Sequence, residues 1–593
     1  NMTDDDFEKN IIRLLATEKI KVSKSQMKII LNKSLPDTLK EFNKLFIKPY
    51  TGEFSNQTMF TRRILGLTSY FRSASESLLP RYMKSVNYHV IRTEMSDHQF
   101  KIYEGARHTE RKLDRNNSKR KMKSKPTDIY AEAVSTYRIY SRSFCNFVFP
   151  EPDIKRPRPI EQDPESEGSE SKNLEHDTTM ITLENIIGMT DEDNSGDPDD
   201  IDMISKDETI VNITSAYNER ISAALEELES RRYEFLSPEA LATYSPKMLR
   251  ILESIQQEDM VGLHLLYSQF RTLEGIGIFK MILDANGFTQ FKIKRSGKSW
   301  ELDIPEDEMH KPKYALYTGV EEAEEKEIIR NVFNGTWKYI PSAITEELTK
   351  INGNNLYGEI IKLLMITASG AEGINLFNVR HVHVMEPYWH HARIDQIIGR
   401  ARRICSHKEL PDEHRTVDAY IYLMTLSENQ IKSDDSLELR MRDVSRINSS
   451  APITTDESIF ELAVMKNDIS TRLLTAVKQS SIDCDIHSIS GGGTEDLKCF
   501  SFGNISVDTY GYVPDIANEE MDSVTDTYVK KTEIQAVELT DPSNGKVYAL
   551  DPTTKKIYDY DSFKAKRPVQ IGILVENVVD GKTQLKIELI RDP

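Results

Sequence analysis

"EIIKLLMITASGAEGINLFNVRHVHVMEPYWHHARIDQIIGRARR" runs from Glu359 to Arg403. Its first part, "EIIKLLMIT" (Glu359–Thr367), contains a short apolar run of the kind that forms a strand buried on both faces. A loop of small residues follows, "ITASGAEGINL" (Ile366–Leu376), and then a second strand, "VRHVHVME" (Val379–Glu386). Residues three or four apart share one side of a helix. On that spacing Arg393, Gln396, Arg400 and Arg403 form a polar stripe. Ile394, Ile397, Ala401 and Ile404 form an apolar stripe beside it, widened by Ile398. The apolar stripe is expected to bury against a sheet and the polar one to face outward. Guanidinium groups are rigid forks that match phosphate oxygens.

The same alternation extends upstream. "GLHLLYS" (Gly262–Ser268) and "YALYTG" (Tyr314–Gly319) read as strands. "LEGIGIFKMILDANG" reads as a helix ending at Gly287, and "EEAEEKEIIRNVFNG" as a helix whose acidic first turn suits the helix dipole. Strands separated by helices imply an α/β fold, a mostly parallel sheet with helices on both faces. Ligands of such sheets sit beyond the carboxyl ends of the strands. Those ends carry "YSQF", "TASGAEGINL" and "MEPYWHH". Glycines there let a backbone approach a phosphate closely.

The chain has 593 residues and a net charge of −18, which taken alone argues against a nucleic-acid binder. The charge is segregated, however. Glu161 to Glu208 holds 17 acidic residues and two lysines, a local balance of −15, and the remainder is nearly neutral. A basic run, "RHTERKLDRNNSKRKMKSK" (Arg107–Lys125), offers Lys119, Arg120 and Lys121 as nucleic-acid contacts. No run approaches 18 apolar residues, so no membrane span is expected. Cys145, Cys405, Cys484 and Cys499 form no CxxC pair. Neither a zinc ribbon nor a disulfide framework is indicated, and a reducing compartment fits best.

Five regions follow from these textures. Residues 1–110 alternate helical patterns. Residues 111–236 are an insertion whose acidic run reads as a disordered spacer, followed by a solvated helix, "AYNERISAALEELESRRYEFL". Residues 237–430 are the α/β lobe and 431–490 are helical. Residues 491–593 are a small β-rich module, in which an Asn-Gly pair within "ELTDPSNGKVYALDPTTKKIYDYDSF" signals a hairpin. His381 and His383 alternate along a strand and read as a surface pair rather than metal ligands, since no carboxylate or cysteine completes a site.

The order strand, Gly-rich loop, strand, "EPYW" and Gln/Arg helix resembles the second RecA-like lobe of superfamily 2 helicases and translocases, in the Snf2-like branch. "YSQF" resembles motif IV, "SGAEGINL" motif V, and "YWHHARIDQIIGRARRICSH" the approach to motif VI with its QxxGRxxR core. Where this chain has Ser406 the family often has Gln. "RRILGLTSYFRSASESLLPRY" (Arg62–Tyr82), "MSDHQFKIYEGARHTER" and "YTGVEEAEEKEIIRNVFNG" look like the Snf2-like helicases of large nucleocytoplasmic DNA viruses. That group includes relatives of the poxvirus nucleoside triphosphatase and early transcription factor small subunit.

The resemblance implies a C-terminal part of an ATP-dependent DNA or RNA helicase or translocase, probable service in viral transcription being part of the expectation, in the virion or a cytoplasmic viral factory. It implies Arg400 and Arg403 as arginine fingers with Gln396 ordering the stripe, and Gly373 and Gly399 beside the nucleotide. Tyr267, Ser268, Gln269, Thr367, Ser369, Gly370, Asn375 and Trp389 would face the nucleic acid; Trp389 reads equally as a half-buried packing aromatic. ATP and Mg²⁺ would be held mainly by a first lobe, in the same or another chain. Viral RNA polymerase or transcription factors are possible partners. The phosphate-binding loop of the family's first lobe, GxxxxGK[ST], and that lobe's magnesium-binding DExx carboxylate are not found here. "KRSGKSW" has Lys292 where the loop's first Gly belongs, and "PDEH" (Pro411–His414) follows motif VI. Both are decoys. The alternative is a non-catalytic transcription-initiation or packaging subunit that keeps the lobe as a scaffold.

Overall fold

The computed structural model describes residues 4–22, 34–48, 53–70, 78–120, 138–158, 208–297, 299–319, 321–367, 373–489, 496–499, 501–502, 524–525, 536–540, 546–552, 554–564, 570–579 and 582–589. The chain divides into two compact units, Asn1–Ser481 and Ile482–Pro593.

The first unit is built on seven parallel strands. In chain order they are β1 (Tyr88–Glu94), β2 (Leu263–Tyr267), β3 (Thr289–Gln290), β6 (Lys313–Tyr317), β7 (Leu363–Ile366), β8 (Val379–Val384) and β9 (Asp418–Thr425), with the hairpin β4 (Ile293–Ser296) and β5 (Ser299–Leu302) outside the sheet. Their order across the sheet is β1-β9-β8-β2-β7-β6-β3. β2 and β7, at the centre, are buried along their whole length, which is why they read as apolar runs, broken in β2 only by His264. Successive side chains point to opposite faces. Leu263, Leu265 and Tyr267 therefore join a core under the helices Ala323–Phe333 and Ser342–Ile351. Leu266 faces the helices Pro246–Gln256 and Ile276–Ala285 on the other side.

Several expectations are corrected. The helical reading of residues 1–110 omits β1, which is the sheet's edge and pairs with β9. The helix after the acidic run is not solvated: Tyr217, Ile221, Leu228 and Phe235 are buried against the second face. Their spacing of four and then seven residues, one helix face, is masked by the charges between them. The low-apolar insertion also contains a buried stretch, Phe144 to Phe149, all in the core. The expected spacer at 161–207 lies outside the described residues. Gly297, with φ of 62°, turns the β4–β5 hairpin, so "SGKS" links two strands and not a strand to a helix.

His381 and His383 are buried, not a surface pair. With His264 they line one face across β2 and β8, stacked at ring-centroid distances of 4.7 and 5.2 Å from His264. The hydrogen bonds have only one consistent direction. The carbonyl of Met260 can only accept, so His264 Nε2 donates to it at 3.3 Å. His264 Nδ1 then accepts from His383 Nε2 at 3.0 Å, and His383 Nδ1 accepts from the Tyr422 hydroxyl at 2.9 Å. A proton on either acceptor nitrogen breaks the chain. Burial pushes His383 down to about 3 and His381 to about 4, with neighbouring cationic groups adding to burial. An unfolded histidine titrates near 6.5. Between these values the unfolded chain binds more protons, so the ladder's contribution is complete above about pH 6.5 and is lost as pH falls toward about 4 and 3. Unfolding free energy is expected to decline over that window, at about 1.4 kcal/mol per pH unit for each fully titrating histidine. His383→Gln, which does not titrate, should show a shallower decline; equal slopes in the two proteins would refute the account.

The second unit contains a five-stranded antiparallel sheet in the order β12 (Val537–Thr540), β13 (Val547–Leu550), β14 (Lys556–Asp559), β15 (Gln570–Val579) and β16 (Lys582–Leu589), preceded by the pair β10 (Ser501–Phe502) and β11 (Val524–Thr525). β12 and β13 pair antiparallel on either side of the Asn-Gly signal; the turn itself lies outside the described residues. Cys484 and Cys499 form a disulfide with Cα atoms 5.7 Å apart. This overturns the reading of reduced cysteines. Pairing depends on spatial approach of the two Cα atoms, which a spacing of 15 residues does not reveal.

Candidate functional site

The helices that build the site are α1 (Asp97–Arg120), α2 (Ile139–Asn146), α3 (Pro246–Gln256), α4 (His391–Ala401) and α5 (Thr455–Ser480). The apolar stripe of α4 is where the pattern placed it: Ile394, Ile397, Ile398 and Ala401 are buried in the sheet's first core. Ile397→Ala is expected to cost about 2–5 kcal/mol in denaturant unfolding, with activity following only the unfolded fraction.

The helix is shorter than the stripe. It ends at Ala401, and Cys405 takes a left-handed φ of 57°. Ile404 is consequently 55% exposed and Arg403 stands on the exit turn, not on the helix. Ser406 shapes that turn. Its buried hydroxyl donates to the Ala401 carbonyl at 3.1 Å and accepts from the Arg403 N–H at 3.4 Å.

Gln396 is exposed, and Arg400 and Arg403 are half-buried. Arg403 Nη2 donates to the Ile374 carbonyl at 3.5 Å, which brings the exit turn to the Gly-rich loop. The Nε of Arg403 is buried and has no hydrogen-bond partner among the described residues. In the loop, Gly373 has φ of 74°, and a Cβ there would meet no atom within 4 Å. Gly399 is likewise open. Asn334, not anticipated from the sequence, secures the loop's exit by donating to the Asn375 carbonyl at 3.0 Å and accepting from the Phe377 N–H at 2.9 Å. Asn375 itself is exposed and Thr367 is buried; Ser369 and Gly370 lie outside the described residues.

The motif IV expectation is corrected. Tyr267, Ser268 and Gln269 are buried and engaged within the chain, so their side chains shape the strand end and do not present a contact surface. The Ser268 hydroxyl donates to both oxygens of Glu386 at 3.1 Å, and the Gln269 N–H also donates to Glu386. Gln269 Oε1 accepts from Arg142 Nη2 at 2.6 Å. Burial raises the Glu386 carboxyl, and these donors oppose the rise. Arg393 leaves the polar stripe, lying over the Tyr388 ring at 4.4 Å and donating to the Tyr267 hydroxyl at 3.4 Å. Trp389 is half-buried, with Lys466 Nζ 4.4 Å above its ring.

The basic run also divides. Arg107 and Arg111, at its start, are buried in an ionic network on α1, sharing Asp443 at 2.9 and 2.7 Å. Lys119 and Arg120 are on the last turn of α1, and Lys121 lies outside the described residues.

The helicase conserved C-terminal domain family matches residues 316–405, from β6 through the exit of α4. That stretch is a helicase C-terminal domain. A protein of Acanthamoeba polyphaga mimivirus named for an ATP-dependent RNA helicase is 26% identical over 94% of this chain and 65% of its own length. An African swine fever virus protein named as a homolog of the termination factor NPH-I is 26% identical over 47% of this chain and 37% of its own. A second mimivirus protein named for an ATP-dependent RNA helicase is 34% identical over 21% of this chain and 29% of its own. The chain thus spans less than two thirds of the length of each of these relatives. Within the helicase lobe, the match stops at Cys405, the residue that closes the exit turn. No helix among the described residues is long and apolar enough to cross a membrane.

Proposed function

We propose that this lobe supplies the hydrolysis-stimulating and nucleic-acid-coupling residues of an ATP-dependent helicase or translocase that acts in viral transcription. The relatives named for RNA helicases and for a termination factor support the activity class and the process. The observation that carries the reading is Arg403: a guanidinium on the exit turn, tied to the Gly-rich loop, with a buried Nε–H that no group among the described residues accepts. Gly373 and Gly399 leave space beside it. A helix-interior glycine costs roughly 0.5–1 kcal/mol relative to alanine, and packing within the chain does not require one at Gly399.

These residues fit the phosphates of ATP. Bound there, ATP supplies a phosphoryl group on which negative charge must be stabilised during transfer. Arg400 and Arg403 would stabilise that charge from the C-terminal lobe, and Gln396 would order the polar face beside them. The core beneath α4 holds the guanidiniums in place, so little reorganisation is needed at the moment of reaction. Magnesium would be held mainly by a first lobe, in the same or another chain. A nucleic-acid strand, DNA or RNA, would run along the Gly-rich loop and Trp389.

A second reading, a non-catalytic scaffold subunit, draws on the absence of a GxxxxGK[ST] phosphate loop from the 593 residues: Gly581-Lys582-Thr583 has Glu576 where the loop's first Gly belongs. Turnover measurements separate the two. The purified 593-residue chain is expected to show no nucleic-acid-stimulated ATP hydrolysis, whereas a protein that joins this lobe to a GKT-bearing lobe is expected to show it. Turnover by the chain alone refutes the proposed division of labour. Nucleic-acid binding without turnover in the two-lobed protein favours the scaffold.

A further inference from the structure

The segment Leu78–Tyr88 runs along α4 and its exit turn and touches them at five places. The Leu78 carbonyl accepts from the Cys405 N–H at 2.7 Å. The Pro80 carbonyl accepts from Arg402 Nε at 3.4 Å, and the Arg402 guanidinium lies over the Tyr82 ring at 5.7 Å. Lys84 Nζ is 3.3 Å from Asp395, and Tyr88 stacks on His391 at 5.7 Å. Asp395 also accepts from His391 Nδ1 at 3.0 Å. Burial would raise its carboxyl, but the His391 hydrogen bond and Lys84 hold it below the usual range. The segment is itself anchored: the Arg81 N–H donates to the Arg415 carbonyl at 2.8 Å, the Val417 N–H donates back to Arg81 at 3.1 Å, and Tyr82 packs on the sheet's first core.

These contacts bracket the two arginines. Asp395 is five residues before Arg400, Arg402 precedes Arg403, and Cys405 is two residues beyond Arg403. α4 ends at Ala401 and the Arg402 N–H is the last to bond back into it, to the Ile398 carbonyl at 3.0 Å, so Arg403–Cys405 lies beyond the helical ladder and its conformation depends on partners outside the helix. We propose that Leu78–Tyr88 is a strap that sets the position of Arg400 and Arg403, with Tyr82 and Lys84 as positioning residues for phosphoryl transfer. This rests on the hydrolysis-stimulating role proposed above. The Tyr82 ring, not its hydroxyl, is the acting part: the hydroxyl oxygen is buried with no partner among the described residues.

The test uses the two-lobed, ATP-hydrolysing protein with Tyr82→Ala, Tyr82→Phe and Lys84→Met. Misplacing a charge-stabilising group by about 1 Å can cost about 100-fold in rate. Tyr82→Ala is expected to lower kcat about 10- to 100-fold with KM for ATP little changed, because ground-state binding is shared with other contacts. Tyr82→Phe should retain wild-type kcat. Hydrogen exchange at the Cys405 amide should quicken in Tyr82→Ala and not in Tyr82→Phe. Unchanged kcat and exchange in Tyr82→Ala overturn the strap, as does a Tyr82→Phe defect equal to that of Tyr82→Ala. Should Tyr82→Ala fail to fold, Lys84→Met decides: its side chain is half-exposed, and a wild-type kcat there overturns the proposal. If the wild-type protein does not hydrolyse ATP, the functional reading fails, while the exchange comparison still judges the strap.

Discussion

Arg400→Ala and Arg403→Ala are each expected to lower nucleic-acid-stimulated ATP turnover about 10³–10⁵-fold in a two-lobed protein, the range seen for arginine fingers. That is about 4–7 kcal/mol of transition-state stabilisation. Folding should be nearly unaffected. Arg400 is half-exposed on the helix face away from the core, and truncating such a side chain usually costs less than about 0.5 kcal/mol. Arg403 makes one long hydrogen bond, to Ile374, so its loss should cost no more than about 1 kcal/mol. Arg400→Lys keeps the charge and loses the planar fork, and should be nearly as inactive as the alanine variant. Near-normal turnover in both alanine variants would show that the polar face of α4 does not meet the nucleotide.

Asp456→Ala is expected to destabilise the first unit by about 3–5 kcal/mol in urea unfolding. Asp456 and Lys247 are both fully buried and 2.5 Å apart. Asp456 also accepts from the Met424 N–H at 3.0 Å, and Lys247 donates to Asn146 at 2.9 Å. The pair therefore ties the start of α3, the end of β9 and the start of α5 together. Removing the carboxylate leaves an ammonium in the interior with one neutral acceptor. Replacing both partners, as Lys247→Met with Asp456→Leu, should restore stability to the wild-type level or above, because neither charge is then desolvated. A loss under about 1 kcal/mol for Asp456→Ala would mean that water reaches Lys247.

The local pattern was sufficient for the central strands and for α4. β7 is a short apolar run, β2 is one broken only by His264, and the stripe of Ile394, Ile397, Ile398 and Ala401 has the helical period. It was sufficient, too, for dismissing "SGKS", since Gly297 turns a hairpin. It was insufficient where charge hid the period, as on the helix through Tyr217, Ile221 and Leu228. Motif IV shows another limit. "YSQF" is legible as a motif, yet whether Ser268 and Gln269 meet a ligand or Glu386 depends on a strand more than 100 residues away.

What the sequence by itself determined about this protein is the set of elements whose periodicity is strong and local, and the identity of the Gln/Arg helix. What only the tertiary structure decided is which of those side chains remain available. Burial took His381 and His383 from the surface and set His383 in a one-directional hydrogen-bonded ladder between His264 and Tyr422. It brought Cys484 to Cys499, and it enlisted Arg107 and Arg111 from the basic run into a buried ionic network. It ended α4 at Ala401 because Ser406 and Leu78 satisfy the exit turn, leaving Arg403 beside the Gly-rich loop. The physical reason is common to all of these. A buried polar group must find its partner, and that partner is chosen by spatial proximity that no short window of sequence contains.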